Sequence, residues 1–270
     1  MSLDKVKRVR FKHSPLDKVI CQLRFPTILK IDQTPPADFQ ALIEERFPYF
    51  ADNGTDAQEP FEVQLNGAQE MPFSVAIGGI QQQRKAYSFL AKDNDFVVTL
   101  ARNFLSLSTQ KYDGWENFYS RVDFILKAFV KVYGKKELTR VGIRYINAIS
   151  KRGLGIPEST SWSELIRSSL LGVMCDSELA QYVKGLNSTF FLKDVDLSVD
   201  MQVLSGIFLK TDSTPVQEVF LIDCDTFSTG KNDTDNVMSL LNRLHDKPSS
   251  FLRRAITEKL YEIMEPEEIS

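Results

Sequence analysis

Arg140-Val-Gly-Ile-Arg-Tyr-Ile-Asn-Ala-Ile149 and, further along the chain, Val219-Phe-Leu-Ile-Asp-Cys-Asp-Thr-Phe227 decide how this sequence is read. Both are runs of β-branched and aromatic residues, which suit a pleated surface, and both are threaded by charge. Strand side chains alternate between two faces, so Arg140 and Arg144 share a face with Gly142 while Tyr145 and Asn147 take the other. By the same rule Asp223 and Asp225 share a face with Leu221 and Phe227. Charges inside apolar strands have two explanations. One is a cross-strand ladder from Arg144 to Asp223 or Asp225, which fixes register and adds about 0.2–1 kcal/mol per pair without any ligand. The other is a polar pocket, where Arg144 meets an anion, or where Asp223 and Asp225 hold a cation or act as an acid–base pair. The ladder is the simpler reading of the residues alone. Arg144, Asn147, Asp223 and Asp225 are the candidate binding residues, with no catalytic residue assigned.

Further runs of strand formers cover residues 19–25, 61–65, 86–91, 96–101, 104–109 and 197–209. The last alternates most cleanly. Leu197, Val199, Met201, Val203, Ile207 and Leu209 oppose Asp196, Ser198, Asp200 and Gln202, so one face is dry and the other wet, as in an antiparallel sheet. Asp93 and Asn94 stand where a tight hairpin turn is needed.

Four segments carry the helical period instead. Asp113-Gly-Trp-Glu116 has the form of a capping box ahead of an apolar stripe that includes Trp115, Phe118, Val122, Ile125, Leu126 and Phe129, and Gly134 is placed to end it. Thr34 with Pro35 and Pro36 opens a second helix through Phe39, Leu42, Ile43 and Phe47. Ser161-Trp-Ser-Glu164 is another capping box, predicting a third helix over 161–170. The fourth runs over 234–263, where Pro248 must kink or split it.

The order strand, helix, strands, long helix thus occurs twice, which predicts an α+β fold. The expected unit is duplicated, a mostly antiparallel sheet with long helices packed on one face, in halves 1–134 and 138–270 that can also form one continuous domain.

Composition narrows the function classes. With 270 residues, 43% of them hydrophobic, the chain can bury a substantial core. A net charge of −3 gives no general attraction to phosphate backbones, so no nucleic-acid partner is expected. Lys5, Lys7, Arg8, Arg10 and Lys12 alternate with Val6, Val9 and Phe11, which reads as a charged edge strand. Cys21, Cys175 and Cys224 have neither disulfide nor zinc spacing, and no apolar run approaches the roughly 18 residues of a membrane span. The expectation is a cytoplasmic chain with no membrane association.

Catalytic motifs are missing. His13 and His245 are the two histidines, too few for a His-rich metal site, and there is no G-x-S-x-G, G-x-x-x-x-G-K-[ST], G-x-G-x-x-G or H-E-x-x-H. Cys224 lies between two aspartates, whose charge opposes a reactive thiolate, so it reads as a structural thiol. His245 reads as a helix-end histidine. No cofactor and no metal are expected.

Ser14-Pro-Leu16 leading into Val19-Ile-Cys-Gln-Leu-Arg-Phe25, the Tyr112-Asp-Gly-Trp115 entry followed by Phe118, Arg140-Val-Gly-Ile-Arg-Tyr-Ile-Asn147, Leu221-Ile-Asp-Cys-Asp225, and Leu244-His245 followed by Phe251 and Ile256-Thr257 carry a resemblance. In their order and spacing they resemble a sporadically distributed bacterial family of proteins of about this length. The resemblance implies a bacterial or archaeal cytosolic protein and brings no activity with it; a patchy spread suggests mobile or defence-associated loci.

Three readings of function follow. The first is a non-enzymatic binding or protein-interaction module that uses a groove between halves or an exposed sheet edge. The second is a carboxylate-based enzyme or small-anion binder centred on Arg144, Asp223 and Asp225. The third is an immunity, antitoxin or defence-locus partner, which requires a large complementary interface. The partner is accordingly a protein or a small ligand.

Overall fold

Side chains of a strand alternate between two faces, and one face of the sheet that these strands build lies against the helices. The computed structural model describes residues 9–52, 85–194, 199–210 and 216–268. In chain order its elements are β1 (Val9–Phe11), β2 (Leu16–Arg24), α1 (Leu29–Gln33), α2 (Ala37–Ile43), β3 (Tyr49–Asp52), β4 (Ala86–Leu90), β5 (Phe96–Ala101), β6 (Phe104–Thr109) and α3 (Trp115–Tyr133). There follow β7 (Glu137–Leu138), β8 (Arg140–Ser150), β9 (Asn187–Asp194), β10 (Val199–Lys210), β11 (Gln217–Ser228), β12 (Asn232–Asp233), α4 (Val237–Leu244), α5 (Asp246–Ala255), α6 (Glu258–Ile263) and β13 (Pro266–Glu268). Nine strands form one antiparallel sheet in the order β3-β4-β5-β6-β2-β8-β11-β10-β9. The fold is therefore α+β with a large antiparallel sheet.

The dry face bears Val19, Cys21 and Leu23 of β2, Leu105 and Leu107 of β6, and Val141, Ile143 and Tyr145 of β8, all buried. Against them lies α3, whose buried Trp115, Phe118, Val122, Ile125, Leu126 and Phe129 recur at helical spacing. Each such large side chain stabilises by about 1.5–3 kcal/mol on burial, so this helix–sheet contact dominates the first core. A second cluster joins Phe220, Ile222 and Cys224 of β11 and Met201 and Val203 of β10 to Phe251, Leu252 and Ala255 of α5. The opposite sheet face carries the charged residues.

Several local expectations are realised in altered form. The duplicated unit is not confirmed, because the segments expected to be its matching helices differ. Ser161 and Glu164 do form the capping box, but it caps a single 3-10 turn over Trp162–Glu164, followed by another over Ser168–Leu170. The chain is drawn off instead by the Ile166–Ile256 bridge and by the Arg167 amide donating to the Ala255 carbonyl. At α3 the N-cap is Gly114, with no side-chain cap, while Asp113 accepts from the Asn117 amide at 2.8 and 3.0 Å. Gly134 ends that helix at φ +76°, a value that favours glycine. Thr34 closes α1 rather than opening α2. The 234–263 stretch divides into α4, α5 and α6 at His245 and at Ile256–Thr257; Pro248 sits in the first turn of α5, where its missing amide costs least.

Asn94 makes the expected hairpin turn at φ +57°. β1 pairs with β13 and not with the large sheet, and Lys12 meets Glu265 at 2.9 Å. Lys5, Lys7, Arg8 and the 61–65 strand lie outside the described residues.

Candidate functional site

The wet face becomes a site where β2, β8, β11, β10 and β9 run side by side. In the β2–β8 register Gln22 lies opposite Gly142 and Arg24 opposite Arg140. In the β8–β11 register Arg144 lies opposite Asp225 and Gly142 opposite Phe227. β10 adds Gln202 beside Asp225 and Leu204 beside Asp223, and β9 adds Thr189 beside Leu204. Cross-strand partners face the same way, so all these side chains project from one face. Together Arg24, Arg140, Arg144, Thr189, Gln202, Leu204, Asp223, Asp225 and Phe227 line a cavity of about 360 Å³.

Two ion pairs organise it, and they differ. Arg144 grips Asp223 with two prongs, Nε to Oδ1 at 2.8 Å and Nη2 to Oδ2 at 2.5 Å, with both side chains almost fully buried at 7% and 2% exposure. This forked geometry is the strong form of a charge-assisted hydrogen bond. Burial opposes the charge on Arg144, but hydrogen bonding to Asp223 and its charge, with Asp225 adding, outweigh that and raise the guanidinium above its ordinary value. Arg140 reaches Asp225 through Nη2 alone, at 2.6 Å. Its guanidinium lies 4.3 Å above the Phe227 ring and folds over Gly142, where an added Cβ would come within 2.5 Å of Nη1. Glycine at 142 thus makes room for Arg140.

Asp225 Oδ1 is buried with no hydrogen-bond partner. Burial, with the charge of Asp223, pushes the Asp225 carboxyl above its ordinary range, while Arg140 and Arg144 hold it down in part. On β2, Arg24 Nε donates to Gln22 Oε1 at 2.7 Å, and the Gln22 Nε2 beside it is buried without an acceptor. Lys18, further along the same face, is lowered chiefly by burial and also by Arg144. Three guanidiniums against two carboxylates leave the cavity with a surplus positive charge.

Of the residues singled out in the sequence, Arg144, Asp223 and Asp225 converge on this cavity, and Asn147 does not. Asn147 sits on the opposite face and donates to the Ile222 carbonyl at 3.2 Å. Arg24, Gln202 and Thr189 complete the lining. Gln202 falls at a wet position of the alternation over 197–209, whereas neither Arg24 nor Thr189 is singled out by the sequence.

The other candidates lie elsewhere. Cys224 faces the second core, and burial followed by the two neighbouring aspartates raises its thiol well above the ordinary value. His245 stacks on Trp115 at 4.1 Å and contacts the Asn242 carbonyl and Asp246 Oδ1, a buried helix junction away from the cavity. Among the described residues no group of three or more His, Cys, Asp or Glu side chains is placed to hold a metal ion, and no helix is long and apolar enough to cross a membrane. No protein-family model and no curated protein matches the chain.

Proposed function

We propose that the protein is a binding module that takes a small ligand bearing an oxyanion, phosphoryl or carboxylate, in the cavity on the wet face of its sheet. One observation carries the reading: Arg24, Arg140, Arg144, Asp223 and Asp225, drawn from three strands, converge on one open cavity with positive charge in excess. A ladder that only fixed register would require two strands and no cavity. Arginine suits the role because its planar fork matches an oxyanion. The carboxylate-enzyme alternative draws less support, since each aspartate is engaged by an arginine. The scaffold itself is proposed to be a repeated unit. Its support is that β2 and β8 each stand at the sheet centre, and that a later meander, β4-β5-β6 or β9-β10-β11, returns to each.

The test is calorimetric titration with inorganic phosphate in one arm and acetate in the other. Saturable one-to-one binding in either arm, abolished by Arg140→Met and retained by the remote Lys127→Met, supports the reading and identifies the anion type. No saturable binding in either arm refutes it.

A further inference from the structure

Arg140 and Arg144 hold their aspartates differently. Arg144 is fixed by two hydrogen bonds to Asp223 and deep burial, so displacing it requires breaking a fork and exposing a second charge. Arg140 holds Asp225 through one nitrogen, and its guanidinium rests against the Phe227 ring. Among the described residues Arg140 is the one hydrogen-bond donor to Asp225. The other oxygen of that carboxylate is already buried with no donor at all.

Resting on the oxyanion-binding function proposed above, we infer that ligand capture is coupled to proton uptake: the incoming oxyanion takes the Arg140 guanidinium from Asp225, and Asp225 receives a proton from solvent. The balance is simple. One N–H···O contact, Arg140 to Asp225, is exchanged for one from Arg140 to the ligand, and an O–H bond forms on Asp225 at the expense of a buffer acid. Once Arg140 has turned away, an ionised Asp225 would be a buried carboxylate with neither oxygen hydrogen-bonded, a state that burial strongly disfavours.

The charges facing Asp225 reinforce this. From its own strand comes Asp223, a like charge; from β8 come Arg140 and Arg144; from β2 come Arg24 and Lys18; β10 contributes Asp200 and the neutral Gln202, and β9 the exposed Lys193 and the neutral Thr189. Of the cations, Arg144 is committed to Asp223, and Arg24 donates through Nε to Gln22. Burial already lifts the Asp225 carboxyl while Arg140 is in place, and losing Arg140 lifts it further. Protonation on binding thus follows from the geometry, with titration only setting where on the pH scale it occurs.

Sulfate is the right probe, because it does not itself titrate between about pH 5 and 8, so any proton exchanged belongs to the protein. Titrations run in two buffers of different ionisation enthalpy give the number of protons taken up per sulfate bound. The expectation is uptake approaching one, with affinity falling by up to about tenfold per pH unit above the folded pKa of Asp225. Asp225→Asn, which cannot take the proton, should bind sulfate with no uptake and a flat pH profile. Saturable binding without proton uptake, or an Asp225→Asn variant that keeps the wild-type pH dependence, overturns the coupling while leaving the binding site standing. Absence of sulfate binding at any pH overturns the coupling as stated; the binding function falls only if phosphate and acetate also fail to bind.

Discussion

Asp223→Ala is the sharpest probe of the buried pair. The substitution removes both hydrogen bonds that Asp223 accepts from Arg144, a pair whose side chains are only 2% and 7% exposed. Removing one member of such a pair typically costs about 3–5 kcal/mol, because the surviving charge stays desolvated. For a chain of this size each kcal/mol moves the melting temperature by roughly 2–4 °C, so the variant should melt lower by about 10 °C or more. The partner experiment is Arg144→Leu with Asp223→Leu, which removes both charges and should recover most of the loss, since a packed apolar pair is often as stable as a buried ionic one. Differential scanning calorimetry of the wild type and both variants measures this directly. A fall of under about 0.5 kcal/mol for Asp223→Ala would refute the reasoning, since that is the behaviour of a solvated surface pair.

Four further outcomes are expected. Folded Asp225 retains a proton above its ordinary value of 3.8, so stability falls as pH rises from there through its folded pKa. Asp225→Asn should remove that slope, and its melting temperature relative to wild type should climb with pH in the same window; a constant difference contradicts the assignment. Gly142→Ala should displace the Arg140 guanidinium, with an added Cβ 2.5 Å from Nη1; because that is the far end of a flexible side chain, thermal melting should change little while anion affinity falls at least tenfold by titration. Gly206→Ala is more severe: at φ +154° its Cβ would fall 2.0 Å from the Leu186 carbonyl oxygen, a backbone atom, and loss of soluble folded protein is expected on expression. In native protein one thiol per chain should react with a disulfide reagent, the exposed Cys175. Cys21, pushed up to about 12 by burial, and the core-facing Cys224 should react only after denaturation.

Which residues share a face was legible in the sequence, and which residues bond was not. Alternation alone put Arg140 with Arg144 and Asp223 with Asp225, because side-chain direction in a strand has period two whatever the strand pairs with. Register makes Arg144 the direct neighbour of Asp225, yet its guanidinium reaches diagonally to Asp223 and leaves Asp225 to Arg140. A long side chain on a twisted sheet selects between direct and diagonal partners by local packing, which no one-dimensional pattern encodes. Helix starts show the same division. The capping box at Ser161 forms as the residues dictate, but a cap specifies only a first turn. The bridge to Ile256 then ends the segment, so its length is a tertiary decision.

The sequence by itself determined an α+β chain, its strand alternation, the long amphipathic α3 and the presence of charge on one strand face, because these depend on local periodicity and on the sterics of neighbouring residues. The cavity was decided by the tertiary structure alone. It exists because β2 inserts Arg24 beside β8 while β10 and β9 add Gln202, Leu204 and Thr189 on the other side of β11. That strand order is chosen by burial of the opposite, apolar face, so the cores beneath the sheet determine which charges meet above it.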